Sequence, residues 1–251
     1  MKDLVKVFED TLLQSRNIGI SDTNKFTFDD FKGLFELMLK YTNTCIEDTS
    51  KIEVINTDTV SAAVDLSKNG KVAILNMASA KRPGGGVING ARAQEECLFR
   101  CSNLIVSISS DFYPLKENEA LYTKDAIFFK DRNYENMDPI TVDVITIPAI
   151  NLNPTARYDH LQNVNNYDEL TKDKIRLMLS IPIIYGVKNI ILGAWGCGVF
   201  KNDPNKISQY FYDILIGEGY IKQLDRVQFA IINDHNSVAN NFDIFNSIFS
   251  K

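Results

Sequence analysis

The chain has 251 residues, 45% of them apolar and 24% charged, with a formal net charge of −5. Such a composition is ordinary for a globular protein, and the length suffices to bury one sizeable α/β core. The acidic balance speaks against sequence-blind binding of duplex nucleic acid, which needs a basic surface, but leaves room for an anion pocket built from backbone amides.

No apolar run is long enough to span a membrane, so no membrane partner is expected. The opening MKDLVKVFED carries acids and lacks a small-residue cleavage site, unlike a secretory signal. Four cysteines (Cys45, Cys97, Cys101, Cys197) show no CxxC pairing and only two histidines occur, His160 and His235. Bound zinc is therefore not expected, nor is a Ser-His-Asp or Cys-His mechanism. Reduced thiols in an intracellular compartment, cytoplasmic or nuclear, are the expectation.

In chain order, residues 4–15 and 28–41 show helical spacing of apolar side chains, joined by a polar stretch containing Gly19, Asp22 and Asn24. They predict a helical N-terminal appendage over residues 1–50, ahead of a main domain over 51–251. From residue 52 strands and helices alternate. A short β-branched run at 52–55 leads to a helix at 59–68 with Asp58 or Thr57 as N-cap. KVAILNM (71–77) reads as a buried strand, followed by a glycine-rich loop and a helix over 91–107. Residues 126–130 and 141–147 are further strands, 151–168 a polar loop, and a helix begins near Tyr167. A strand at 189–192 precedes a second glycine-rich loop and a helix at 204–216. A strand at 227–232 and a helix at 238–249 close the chain. This alternation predicts an α/β fold, a three-layer α/β/α arrangement around a largely parallel or mixed sheet. Ligands bind such sheets at the carboxyl ends of the strands, where both glycine loops fall.

The first loop carries Gly84-Gly85-Gly86, which can approach a ligand without Cβ interference. By itself the triplet is equally a flexible turn, and it is neither a GxGxxG fingerprint nor a P-loop. The second loop, Gly193 to Phe200 (GAWGCGVF), precedes a helix opening at Asp203-Pro204 and suits an anion nest; a tight strand–helix connection would look the same. Two such loops at corresponding strand ends point to a pyrophosphate ligand. Seven residues beyond the triplet stand Gln94-Glu95-Glu96. The two glutamates differ by about 100° around a helix, so both can reach one cleft. Acids in a first helical turn also serve the helix dipole, and spacing alone favours that plainer reason.

The whole string PGGGVINGARAQEE resembles the poly(ADP-ribose) glycohydrolases of the short microbial type: three glycines, a short spacer, then QEE. The second loop, with Asn202-Asp203-Pro204 after it, is similar to the family's second signature, and a looser likeness covers most of the chain, including LYTKDAIFFKD (121–131). The resemblance implies a macrodomain fold and hydrolysis of the ribose–ribose O-glycosidic bond of poly(ADP-ribose), releasing ADP-ribose without a cofactor or metal. It implies Glu96 as catalytic acid and base, with Glu95 on hydroxyls of the scissile ribose and Gln94 completing the signature. Gly84, Gly85 and Gly86 would wrap the distal ribose and pyrophosphate. Gly196, Cys197 and Gly198 would offer amides to the diphosphate, with Val199 beside them and Phe200 stacking on the ribose. Asp58 would suit the adenine amino group, although a plain N-cap explains it as well. Asn76 and Ser79 would place the ribose, while the position near Ala80 lacks the asparagine many macrodomains carry. Ile232-Asn233-Asp234 could pack beside the adenosine.

The chemistry fits these residues. Glycosidic cleavage passes through an oxocarbenium-like state, so the leaving oxygen needs a proton and the incoming water must then lose one. One glutamate with a raised pKa, next to a second carboxylate, can do both in turn. Trp195 reads as packing, Cys197 lacks a histidine to activate it, and both histidines read as solvated. Two alternatives share the pocket: an ADP-ribose reader without turnover, and a hydrolase removing single ADP-ribose units from protein or nucleic acid.

Overall fold

The structure, a computed structural model, describes residues 2–33, 49–155, 165–232 and 240–250. Within these, seven strands form one mixed sheet: β1 (Thr23–Thr27), β2 (Ile52–Ile55), β3 (Val72–Met77), β4 (Glu119–Lys130), β5 (Asn136–Ile147), β6 (Asn189–Leu192) and β7 (Arg226–Ala230). Their spatial order is β1-β4-β5-β3-β6-β7-β2. From β5 through β3, β6 and β7 to β2 every pairing is parallel, whereas β1, β4 and β5 pair antiparallel. The expected α/β architecture with a mixed sheet is the one observed.

Burial on both faces explains the continuous apolar runs. In β3, Val72 and Ile74 face one core and Ala73 and Leu75 the other, as the two-residue period of a strand requires. One face is covered by α1 (Leu4–Ile18), α2 (Thr59–Leu66) and α3 (Gln94–Cys101), the other by α4 (Tyr167–Ile184), α5 (Pro204–Tyr212) and α6 (Asn241–Phe249). Among the described residues no helix is long and apolar enough to cross a membrane.

Several boundaries differ from the sequence-based expectations. Residues 19–27, expected as a connector, contain β1, which extends the sheet beyond β4 with Thr23 opposite Thr123. The second expected N-terminal helix starts as a 3-10 turn, Phe28–Phe31, and its continuation falls outside the described residues. The helix expected over 91–107 is confined to α3 and a separate turn, Leu104–Ser107. Asn103 breaks it. Its Nδ2 donates to the Gly19 carbonyl and Ser21 Oγ, and its Oδ1 accepts from Ile127 N, all within 3.0 Å. The strands expected at 126–130 and 141–147 are the ends of a longer hairpin, β4–β5. The helix expected over 204–216 gives way after Tyr212 to a wider turn, Asp213–Gly217.

The N-terminal helix is stitched to α3 by polar contacts. Thr11 Oγ1 donates to the Arg100 carbonyl at 2.8 Å, and Ser15 Oγ to the Ser102 carbonyl at 3.2 Å. Arg100 is fully buried; its Nε donates to the Leu4 carbonyl and its Nη2 to the Val87 carbonyl, both at 3.2 Å. The segment from Val87, the catalytic-helix candidate and α1 thus share one buried cation.

Candidate active site

The two glycine loops leave the carboxyl ends of β3 and β6, which are parallel neighbours. A cavity of about 710 Å³, a size typical of small-ligand sites, lies between them; the start of the first loop, Ser79 to Lys81, lines it, whereas Gly84, Gly85, Gly86 and Cys197 do not. Asp58, Gln94, Glu96, Gly196, Gly198 and Phe200 line it, as does Val199. Behind this wall stand Glu95 and Asn76, 3% and 0% exposed.

The glycine triplet and the acidic pair are one unit. Gly84 and Gly85 adopt φ of +69° and +52°, a region where L side chains are strained. Their turn brings Gly84 N to Glu95 Oε1 at 3.2 Å and Gly86 N to Glu96 Oε1 at 2.9 Å, while Ser79 N reaches Glu95 Oε2 at 2.7 Å. Gly85 N is taken by the Arg82 carbonyl at 3.4 Å. All three N–H groups of the triplet therefore point inward, at carboxylates and carbonyl of the chain itself. Glu96 Oε2 is different: it is buried and has no hydrogen-bond partner.

Glu95 titrates abnormally. Burial pushes its pKa from 4.5 up to about 8; the Ser79 amide opposes this, the Glu96 charge reinforces it, and the Asn76 amide and Gly84 N–H oppose it again. Asn76 donates to Thr146 Oγ1 at 3.3 Å, and its own Oδ1 is unpartnered. The structure thus sets Asn76 behind Glu95 rather than in the wall.

Gln94 braces the site. Its Nε2 donates to the Leu75 carbonyl at 2.6 Å and to Thr59 Oγ1 at 3.1 Å, and its Oε1 accepts from Met77 N at 2.9 Å. Both amide hydrogens are spent, so the side chain joins β3, α2 and α3. Asp58 is the N-cap of α2, as one of its two readings had it: Oδ1 accepts from Val60 N at 3.0 Å and Ser61 N at 3.1 Å. Its Oδ2 accepts from Ser61 Oγ at 2.6 Å and lies 3.6 Å from Arg132 Nη1.

In the second loop Cys197 N is bonded to the Ala194 carbonyl at 3.1 Å, while the N–H groups of Gly196 and Gly198 are bonded to no described residue. Asn202, 3% exposed, holds the loop closed: its Nδ2 donates to the Ile150 and Gly196 carbonyls at 2.9 and 3.0 Å, and its Oδ1 accepts from Tyr167 Oη at 2.6 Å. The N-terminus of α5 is already capped by Asp203, which accepts from Asn205 N at 2.9 Å. An acid in that place leaves the anion-binding capacity to the loop rather than to the helix end. Trp195 packs as expected, fully buried with its indole N–H on the Ile147 carbonyl at 3.0 Å. Burial, with the Asp203 charge, raises the Cys197 thiol pKa well above its ordinary value, which suits an inert thiol.

Arg92, Arg132 and Tyr134 also line the cavity and were not foreseen. The last two sit in the turn between β4 and β5, and no local motif tells which end of the sheet a hairpin tip will visit. Ile232 lines the cavity and is 52% exposed, whereas Asn233, Asp234, His235 and His160 lie outside the described residues. Among the described residues no group of three or more His, Cys, Asp or Glu is arranged to hold a metal ion.

Residues 20–131 match the family described as microbial-type PARG, catalytic domain. No curated protein matches the chain. Solved structures do. Poly(ADP-ribose) glycohydrolase from Thermomonospora curvata, bound to the inhibitor ADP-HPD, is 28% identical with a TM-score of 0.75, over 95% of this chain and 88% of that one. The Deinococcus radiodurans enzyme in complex with ADP-ribose is 29% identical with a TM-score of 0.75, over 90% of this chain and 93% of that one. A second crystal form of that complex aligns over 100% and 98% of the two chains at 25% identity and a TM-score of 0.76. By sequence over residues 20–131 and by fold over 90% or more of its length, the chain is similar to the microbial-type poly(ADP-ribose) glycohydrolases, and its α/β fold is macrodomain-like as theirs is.

Proposed function

We propose that this protein is a poly(ADP-ribose) glycohydrolase, a glycosidase that releases ADP-ribose from the polymer, and that Glu96 is its general acid and base. The observation that carries the role of Glu96 is its divided carboxylate. Oε1 is anchored on Gly86 N at 2.9 Å, while Oε2 is buried, unpartnered and part of a residue in the cavity wall. A buried oxygen without a partner is costly unless a ligand hydroxyl completes it. The relatives bound to ADP-ribose and to ADP-HPD support the choice of ligand.

In the proposed reaction the C1–O bond of the scissile ribose breaks, and the leaving oxygen takes the proton of Glu96. The positive charge left on the ribose is stabilised by the resulting carboxylate. Glu96 then accepts a proton from a water that attacks the same carbon, and free ADP-ribose and a shortened chain result. Glu95 acts beside it as a positioning residue: both of its oxygens hold backbone amides of the loop that shapes the ribose end. Gly196 and Gly198, whose N–H groups no described residue takes, supply amides for the diphosphate, with Phe200 and Val199 as the apolar wall and Asp58 at the adenine end. An ADP-ribosylated protein would present the same terminal unit.

The test is release of ADP-ribose from defined poly(ADP-ribose) by the native chain and by Glu96→Gln, alongside ADP-ribose binding by both. Turnover by the native chain alone, with binding kept by both, supports the assignment. Binding by both without any release would mean a reader. Release only from singly modified protein would mean a mono-ADP-ribosyl hydrolase.

A further inference from the structure

Beside the main cavity lies a second hollow of about 400 Å³, lined by Lys2, Leu4, Arg92, Arg132, Asn133 and Tyr134. Three of these six carry a positive charge and none is acidic, on a chain whose net charge is −5. Arg92, Arg132 and Tyr134 line both spaces, so the hollow lies directly beside the main cavity.

Its walls are held in shape. In the β4–β5 turn, Asp131 Oδ1 accepts from Asn133 N at 2.8 Å and Glu135 N at 2.9 Å, and Tyr134 N donates to the Asp131 carbonyl at 2.9 Å. Tyr134 takes a φ of +63°, and the Arg100 guanidinium sits 5.9 Å from its ring centroid. Lys2 Nζ clasps the turn through the Asn133 carbonyl at 2.5 Å and Glu135 Oε1 at 2.6 Å. Even so, Lys2 is 43% and Arg132 52% exposed at the side chain, leaving donors for a ligand.

We infer that this basic hollow binds the pyrophosphate of the neighbouring unit when a polymer of ADP-ribose has one unit in the main cavity. The inference rests on the proposed reading of that cavity. Two spaces that share three wall residues suit a ligand that repeats its diphosphate along a chain. A free monomer has no second diphosphate to place there, so the hollow would raise the affinity for polymer and leave that for ADP-ribose alone.

The experiment compares binding of ADP-ribose, of a singly ADP-ribosylated protein and of defined-length poly(ADP-ribose) in a Glu96→Gln background, chosen to hold the polymer without cleaving it. Lys2→Glu and Leu4→Glu are introduced separately, since both positions line only the hollow. Lys2→Glu sacrifices an exposed ion pair of little stabilising value, and glutamate is well suited to a first helical turn, so each chain should fold. The expected result is a loss of about tenfold in polymer affinity with each, and a shallower salt dependence for Lys2→Glu, at unchanged ADP-ribose affinity. Equal losses for both ligands, or none for either, would overturn the proposal. So would a loss seen only with singly ADP-ribosylated protein, which would assign the hollow to the carrier. If the parent bound neither ligand, the reading of the main cavity would fall and this one with it.

Discussion

A Cβ on Gly85 would stand 2.7 Å from Glu96 Oε1 and 2.9 Å from Glu95 Oε2. The glycine and the two carboxylates occupy one volume, and Gly85 also sits at a φ of +52°. Gly85→Ala should therefore displace both acids and add backbone strain of about 1–2 kcal/mol. Turnover should drop by roughly 100-fold, because a shift of about 1 Å at a reacting group costs that much. Denaturation and ADP-ribose release would be read together; wild-type turnover would show that the carboxylates are not held by this packing.

Glu95 makes stability depend on pH. Its carboxyl loses a proton near 4.5 when unfolded and near about 8 when folded. Between those values the folded chain holds a proton that the unfolded one has released. Its contribution is thus complete below about 4.5 and is lost as pH rises through about 8. Melting temperatures followed across this window should fall more steeply for the native chain than for Glu95→Gln. Parallel curves would remove Glu95 as the source.

The thiols should differ in reactivity. A hydrogen bond from Cys101 lowers the Cys97 pKa, whereas the same contact and burial raise that of Cys101, and burial raises that of Cys197. Cys97 also lines the cavity. Brief alkylation followed by peptide mass mapping should label Cys97 ahead of Cys101 and Cys197, and ADP-ribose should slow it. Labelling of Cys197 first would contradict the closed second loop.

Asn202→Ala should open that loop. It strips the Ile150 carbonyl and Tyr167 Oη of a partner, at a cost of about 1–3 kcal/mol for each group left unsatisfied, while the Gly196 carbonyl keeps only the backbone N–H of residue 202. Chemical denaturation should register the loss, and ADP-ribose affinity should weaken as the Gly196 and Gly198 amides lose their fixed direction. Unchanged affinity in a destabilised protein would exclude these amides from ligand binding.

The order of elements after residue 52 was legible because buried parallel strands such as β3 and β6 are written as unbroken apolar runs. Asp58 was legible as a cap from its place before an apolar helix. β1 was not: Thr23–Thr27 is short and polar, and only Phe26 among its residues advertises burial, so its strand character comes from pairing with β4. The break at Asn103 depends on partners 82 and 84 residues earlier in the chain, beyond any local pattern. Both loops and the acidic pair could be picked out, yet three successive glycines do not say whether their amides face ligand or protein. The carboxylates of Glu95 and Glu96 decide it by capturing two of them.

Gln94 has a consequence for how the protein tolerates change. The distance from β3 to α3 is set there by two hydrogen bonds, to Leu75 and Met77, with a third to Thr59 of α2, rather than by the girth of apolar side chains. Methyl groups can be gained or lost in the layer between β3 and α3 while this amide keeps its span. The core can therefore drift under substitution while the acids stay in register with the ends of the strands.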